Sequence, residues 1–220
     1  MVAVIPLRDA SRRPTRFPLV TVSLIAVNIA AFVLELSRGD AFVLRWSTIP
    51  SQISSGHQLL TIATGMFMHG GWLHIISNMV FLWAFGPEVE DLMSRGRYLA
   101  FYLLGGVVAT LAQVAAMPAS TVPTLGASGA IAAVMGAFVV TYPRDQIRSI
   151  LVILIFISVR YIPAVLLIGA WFIMQFLSLH SASAQTAGGV AYAAHVWGFV
   201  FGAIAARLFE TRRRSMDFPE

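Results

Sequence analysis

Residues 17–36 read FPLVTVSLIAVNIAAFVLEL, an apolar run of 20 whose one charged residue, Glu35, stands at its far end. About 20 such residues cross a ~30 Å hydrocarbon core as a helix. The run is too long for the apolar part of a secretory signal and carries no small-x-small cleavage pattern, so it reads as a retained first transmembrane helix. The rest of the chain repeats the theme. Further apolar stretches cover about 72–93, 97–117, 126–142, 161–178 and 190–209, closed by breakers such as Ser94-Arg95-Gly96-Arg97 and Tyr142-Pro143-Arg144-Asp145. Of the 220 residues, 58% are hydrophobic and 11% charged, against roughly 25% charged in soluble domains. The expectation is an all-α, polytopic bundle of six transmembrane helices. It comprises a cytosolic N-terminal segment (1–16), a membrane domain (17–209) and a cytosolic tail (210–220). An extra apolar stretch at 149–159 is too short to span alone; it extends span 5, lies in the interface or re-enters.

All fifteen basic residues are arginine, and the net charge is +5. Nucleic acid is not the implied partner, because the arginines sit between apolar runs and at the two ends. With the N-terminus in the cytosol, thirteen arginines fall inside and only Arg38 and Arg45 outside. That is a positive-inside distribution and favours an even number of spans. The absence of cysteine excludes disulfides, thiolate metal sites and a cysteine nucleophile. No metal or cofactor is expected: His69 and His74 are five apart, not in the H-E-x-x-H spacing of a zinc protease.

Polar side chains inside spans are costly and face the bundle interior or a water-filled cavity. His74, Asn78, Ser128 and His195 stand out, and the arginine topology puts all four near the outer side. His74 and Asn78 are i, i+4 and share a helix face. Ser128 lies in Gly126-Ala127-Ser128-Gly129, at the start of a short span, where a helix presents free N–H groups and the positive end of its dipole. His195, Gly198 and Gly202 share one face of span 6. Gly198-x-x-x-Gly202 is a small-residue packing pattern, and span 4 offers Gly129, Ala132, Ala133 and Gly136 in return. Two such faces could bring Ser128 and His195 into contact as an activated nucleophile and its base. Other polar residues read more plainly. His57, His69 and His180 are solvated or interfacial loop residues, and Glu35 is an interfacial group reaching for water. Glu90 and Arg97 cap or pair near the cytosolic surface, and Asn28 bonds between helices.

At these residues the sequence resembles the rhomboid family of intramembrane serine proteases. The match runs through His69-Gly70-Gly71-Trp72-Leu73-His74-Ile75-Ile76-Ser77-Asn78, Gly86 with Glu90, Gly126-Ala127-Ser128-Gly129 with Gly136, and Ala194-His195-Val196-Trp197-Gly198 through Gly202. The resemblance implies a Ser–His dyad with no acidic third member: Ser128 as nucleophile, His195 as base, and Asn78, His74 and the Ser128 N–H stabilising the oxyanion. It also implies transmembrane protein substrates, an active site toward the non-cytosolic side of a cell (inner) membrane, and a first loop, 38–71, partly embedded in the outer leaflet. Two positions depart from the pattern. Leu60 and Thr61 stand where some members have Trp-Arg, and Ala132 where some have a tyrosine stacked on the histidine. The alternatives are a non-catalytic rhomboid-like protein that binds membrane helices, and a transporter. Ser128 with His195 argues against the first. The second would want polar groups at the midplane.

Overall fold

The computed structural model describes residues 2–181 and 191–211. The loop at 182–190, the tail beyond 211 with Arg212 to Arg214, and the side chain of His180 lie outside the described residues. In chain order the elements are β1 (Val2–Asp9), α1 (Leu19–Arg38), α2 (Asp40–Trp46), α3 (Pro50–Ser54), α4 (Thr61–Thr64), α5 (Trp72–Leu92), α6 (Arg95–Ala116), α7 (Ser128–Thr141), β2 (Gln146–Ile153), β3 (Phe156–Pro163), α8 (Ala164–Ser181) and α9 (Tyr192–Phe209). Among the described residues, α1, α6 and α9 are long and apolar enough to cross a membrane, and α7 and α8 are shorter apolar helices. Helix α5 is as long, with 21 residues, but His74, Asn78, Pro87 and three carboxylates dilute it.

Helix α7 forms the middle of the bundle. Gly129 through Phe138 are all buried, as expected of a helix apolar on every side. Its 14 residues make a rod of about 21 Å, short of a ~30 Å hydrocarbon core. Helix α9 lies directly against it, backbone to backbone. A Cβ on Gly198 would collide with the Gly129 carbonyl oxygen, one on Gly202 with the Ala133 carbonyl oxygen, and one on Gly136 with the Phe199 carbonyl oxygen. Gly129 in turn has no room for a Cβ beside Ala109 of α6.

The N-terminus of α1 has no capping side chain of its own, since Pro18 precedes it. Glu90 of α5 supplies one. Its carboxylate accepts the backbone N–H of Val20 at 2.9 Å and that of Thr21 at 2.8 Å, and the Thr21 hydroxyl at 2.8 Å. Hydrogen bonds to a charged group contribute about 1.5–3 kcal/mol each. Gly86, one turn before Glu90, lets this junction close: a Cβ there would sit 2.9 Å from Thr21 Cγ2 and the Tyr98 hydroxyl. Arg97 donates to the Glu210 carbonyl oxygen at 3.2 Å, tying α6 to the end of α9.

The structure corrects the all-α expectation. Residues 146–163, which include the apolar stretch 149–159, do not prolong a helix. They form an antiparallel hairpin, and β1 adds to it as a third strand in the order β1-β2-β3. The register runs from Val2 opposite Ile153 to Asp9 opposite Ile147, with a bulge between Pro6 and Arg8. The β-branched and aromatic content of the hairpin suits strands, and Pro6 is tolerated because β1 is an edge strand. The N-terminal segment is therefore folded onto the arginine-rich end of the bundle. Arg12 pairs with Asp145 and lies over the Tyr142 ring, 4.1 Å from its centroid. Burial pushes the Asp9 carboxyl up to about 7, opposed by the Ser11 N–H and reinforced by Asp145.

Two further expectations change. His69 is not solvated: it is buried, edge-on to Phe32 and His74. Glu35 does not reach for water: it is buried and accepts the His69 backbone N–H at 3.0 and 3.2 Å. The carboxylate at the end of α1 thus holds the turn that leads into α5.

Candidate active site

At the end of the bundle opposite the sheet, a cavity of about 400 Å³ opens among α5, α7, α8 and α9. His74, Asn78, Ser128, Trp171 and His195 line it. The first loop braces the segment before α7. Thr48 and Thr124 exchange both backbone hydrogen bonds, at 3.0 and 2.7 Å, so the loop is clipped to the segment that leads into α7. Gly126 closes the turn with φ 116° and donates its N–H to the Gly65 carbonyl at 2.9 Å. A side chain at 126 would be strained by that φ and would put a Cβ 2.7 Å from His74 Nε2.

Ser128 is the first residue of α7, so the N–H groups of its turn have no helical carbonyl behind them. Its Oγ lies 2.7 Å from His195 Nε2. The two side chains ride on the helix pair whose glycines bring the backbones into contact, which is the geometric reason they meet. His195 Nδ1 lies 2.8 Å from Gln175 Oε1 on α8. An amide oxygen only accepts, so this contact requires the hydrogen on Nδ1 and leaves Nε2 as the acceptor for Ser128. The Trp171 ring, one turn before Gln175, lies 5.8 Å from the His195 ring at 40°. With Ala132 too small to reach the imidazole, its neighbours come from α8 instead.

His74 and Asn78 face the same space. The Gly70 N–H donates to His74 Nδ1 at 3.2 Å. In a neutral ring that places the hydrogen on Nε2, the nitrogen turned toward Gly126. Asn78 Nδ2 donates to the His74 carbonyl at 2.9 Å; an amide nitrogen carries two hydrogens, and this bond uses one. The arrangement brings a serine hydroxyl, an imidazole within hydrogen-bond reach of it and N–H donors around one open volume. Gln175 and Trp171 were not among the residues singled out from sequence. The available signal was a glutamine inside an apolar helix, a position where polar groups are costly, one helical turn from a tryptophan.

A family model described as Rhomboid domain matches residues 56–212. The chain belongs to the rhomboid family. It is similar to Rhomboid protease GlpG of Yersinia pestis, 26% identical over 194 residues, which cover 87% of this chain and 63% of that protein. It is similar to Rhomboid protein 1, mitochondrial, of Saccharomyces cerevisiae, 25% identical over 189 residues, 83% of this chain and 51% of the relative. Rhomboid protease GluP of Bacillus subtilis is 32% identical over 125 residues, 54% of this chain and 24% of the relative. The chain thus spans between 24% and 63% of the length of these three relatives. Membership and apolar helices together make this rhomboid an integral membrane protein.

Proposed function

We propose that this rhomboid is an intramembrane serine endopeptidase that cuts near the outer end of substrate transmembrane helices. The observation that carries the reading is the 2.7 Å contact between Ser128 Oγ and His195 Nε2 on the wall of an open cavity. His195 takes the hydroxyl proton as Oγ attacks the scissile carbonyl carbon, then returns it to the leaving amine. The oxyanion is held by the Ser128 N–H, His74 Nε2–H and Asn78 Nδ2–H, a stabilisation of about 2.7–4 kcal/mol per donor. Water then hydrolyses the acyl-enzyme. A helical substrate hides its carbonyls in hydrogen bonds, so substrates carry helix-weakening residues near the cut. The proposed topology has six crossings, both termini and the sheet on the cytosolic side of a cell membrane, and the cavity toward the other side. No step calls for a cofactor or metal.

Purified protein is tested with a fluorophosphonate and with a model transmembrane substrate. Wild type is expected to be labelled and to cleave; Ser128→Ala is expected to lose labelling and to keep only a residual cleavage rate. Labelling that survives in Ser128→Ala, or a folded wild type that neither labels nor cleaves, would sink the reading.

Gln175 is assigned a positioning role through the tautomer of His195. Gln175→Met, near-isosteric but without the acceptor, is expected to lower kcat by about ten- to a hundredfold, part of the ~10²–10⁴ that a general base supplies. KM and thermal stability should not move, and Gln175→Glu, which restores an acceptor, should recover most of the rate. A loss that appears in KM, or one that Gln175→Glu does not repair, argues for simple packing.

A further inference from the structure

The hairpin of β2 and β3 ends in a surface that does not suit water. Its apex is Leu154-Ile155, 71% and 85% exposed, followed by Phe156 at 72%. Tight turns facing water are built from Gly, Asn and Asp. Here Leu154 takes up a left-handed backbone (φ 55°), a conformation a leucine adopts only at a cost. Strand β3 is also an edge strand, and its apex half, with Ile157 and Val159 exposed, carries none of the charge or proline that usually blunts an edge facing water.

Behind the apex stands a concentration of positive charge. Arg8 and Arg148 are directly opposite across β1 and β2, and Arg160, opposite Ser149 on the next rung, adds a third charge from the other face of the sheet. Like charges opposite one another destabilise a sheet. Among the described residues the ion pairs are Arg12–Asp145 and Arg207–Glu210, so none of these three has a carboxylate partner there. Arg148 Nε is buried without a hydrogen-bond partner. Arg160 lies four residues beyond Phe156, about 13 Å along a strand. From apex to base the module therefore passes from apolar to cationic. Strand β3 runs without a break into α8, whose outward Val165 and Leu166 continue the apolar surface.

We propose that the hairpin apex inserts into the leaflet on the arginine-rich side of the bundle, with Arg8, Arg148 and Arg160 binding anionic lipid headgroups. The bilayer is the occupant because the chain is already embedded in one and the apolar surface is continuous with α8. Insertion stops at the headgroup–acyl boundary, ~5–10 Å deep as for other interfacial segments, because an unpaired strand edge is not tolerated in hydrocarbon.

The chain has no cysteine, so Ile155→Cys places a single nitroxide at the apex, and Arg144→Cys places one in the exposed turn before β2. In liposomes containing phosphatidylglycerol, the label at 155 is expected to collide with a water-soluble nickel chelate several-fold less, and with oxygen several-fold more, than the label at 144. Adding Arg8→Gln and Arg148→Gln, or using phosphatidylcholine alone, should move the label toward water. Nickel accessibility at 155 equal to that at 144 would overturn the proposal. So would insertion indifferent to both the arginines and the lipid charge, or dipolar broadening between labels, which would put a second copy on the apex. None of these readouts depends on peptidase activity.

Discussion

A methyl group added at Gly202 is expected to force α7 and α9 apart and to disable the protein more thoroughly than any other single carbon atom. The new Cβ of Gly202→Ala would fall on the Ala133 carbonyl oxygen and within 2.6 Å of Ala133 Cα. These are backbone atoms of a helix buried on all sides, so no side chain can rotate away. Overpacking a core usually costs about 1–3 kcal/mol, and a collision between two backbones belongs at the top of that range. At roughly 2–4 °C per kcal/mol for a chain of this size, the thermal transition in detergent should fall by about 6–12 °C. Whatever folds should also label poorly, because separating the two helices separates Ser128 from His195. Gly169→Ala on α8 is the control: a Cβ there meets nothing within 4 Å, and both readouts should stay at wild type. An unchanged Gly202→Ala would mean that the helix contact described above is not the one the protein uses.

Removal of the proposed base should be nearly as severe for activity and harmless to the fold. His195→Ala is expected to slow cleavage about a thousandfold, within the ~10²–10⁴ range of general-base catalysis. The sharper test is non-additivity. If Ser128 and His195 act as one unit, the double variant should be no slower than Ser128→Ala alone, since groups that work together cannot be lost twice. Rates measured under single-turnover conditions check this. Multiplicative losses would mean that the two residues serve separate steps.

The helical part of the fold was legible because a bilayer demands long apolar runs, and the loops between them carry arginine. The helix starting at Trp72 could be read from the sequence almost to the residue. The sheet was not legible. Its strands are eight residues each, and in an apolar chain a short run such as Leu151 to Ile157 signals strand, interface and helix alike. Its partner, β1, lies 138 residues away at the Asp9–Ile147 rung, a pairing that no local pattern encodes. The chemistry-bearing residues of the candidate site were visible as polar groups at matched depth on small-residue faces. Gln175 escaped notice because its meaning depends on the tautomer of a ring on another helix. The burial of His69 and Glu35 was not legible because it comes from a contact across the first loop, the carboxylate of Glu35 accepting the His69 N–H, which spacing does not reveal.

The cap on α1 carries a consequence for biosynthesis. The N–H groups of Val20 and Thr21 emerge from the ribosome 70 and 69 residues before the Glu90 carboxylate that accepts them. Asp9 precedes its rung partner by 138. At ~5–20 residues per second, the first helix waits about 3–14 s for its cap and the first strand about 7–28 s for its sheet. The nascent chain must therefore hold β1 and the start of α1 in reserve until segments made much later arrive to complete them.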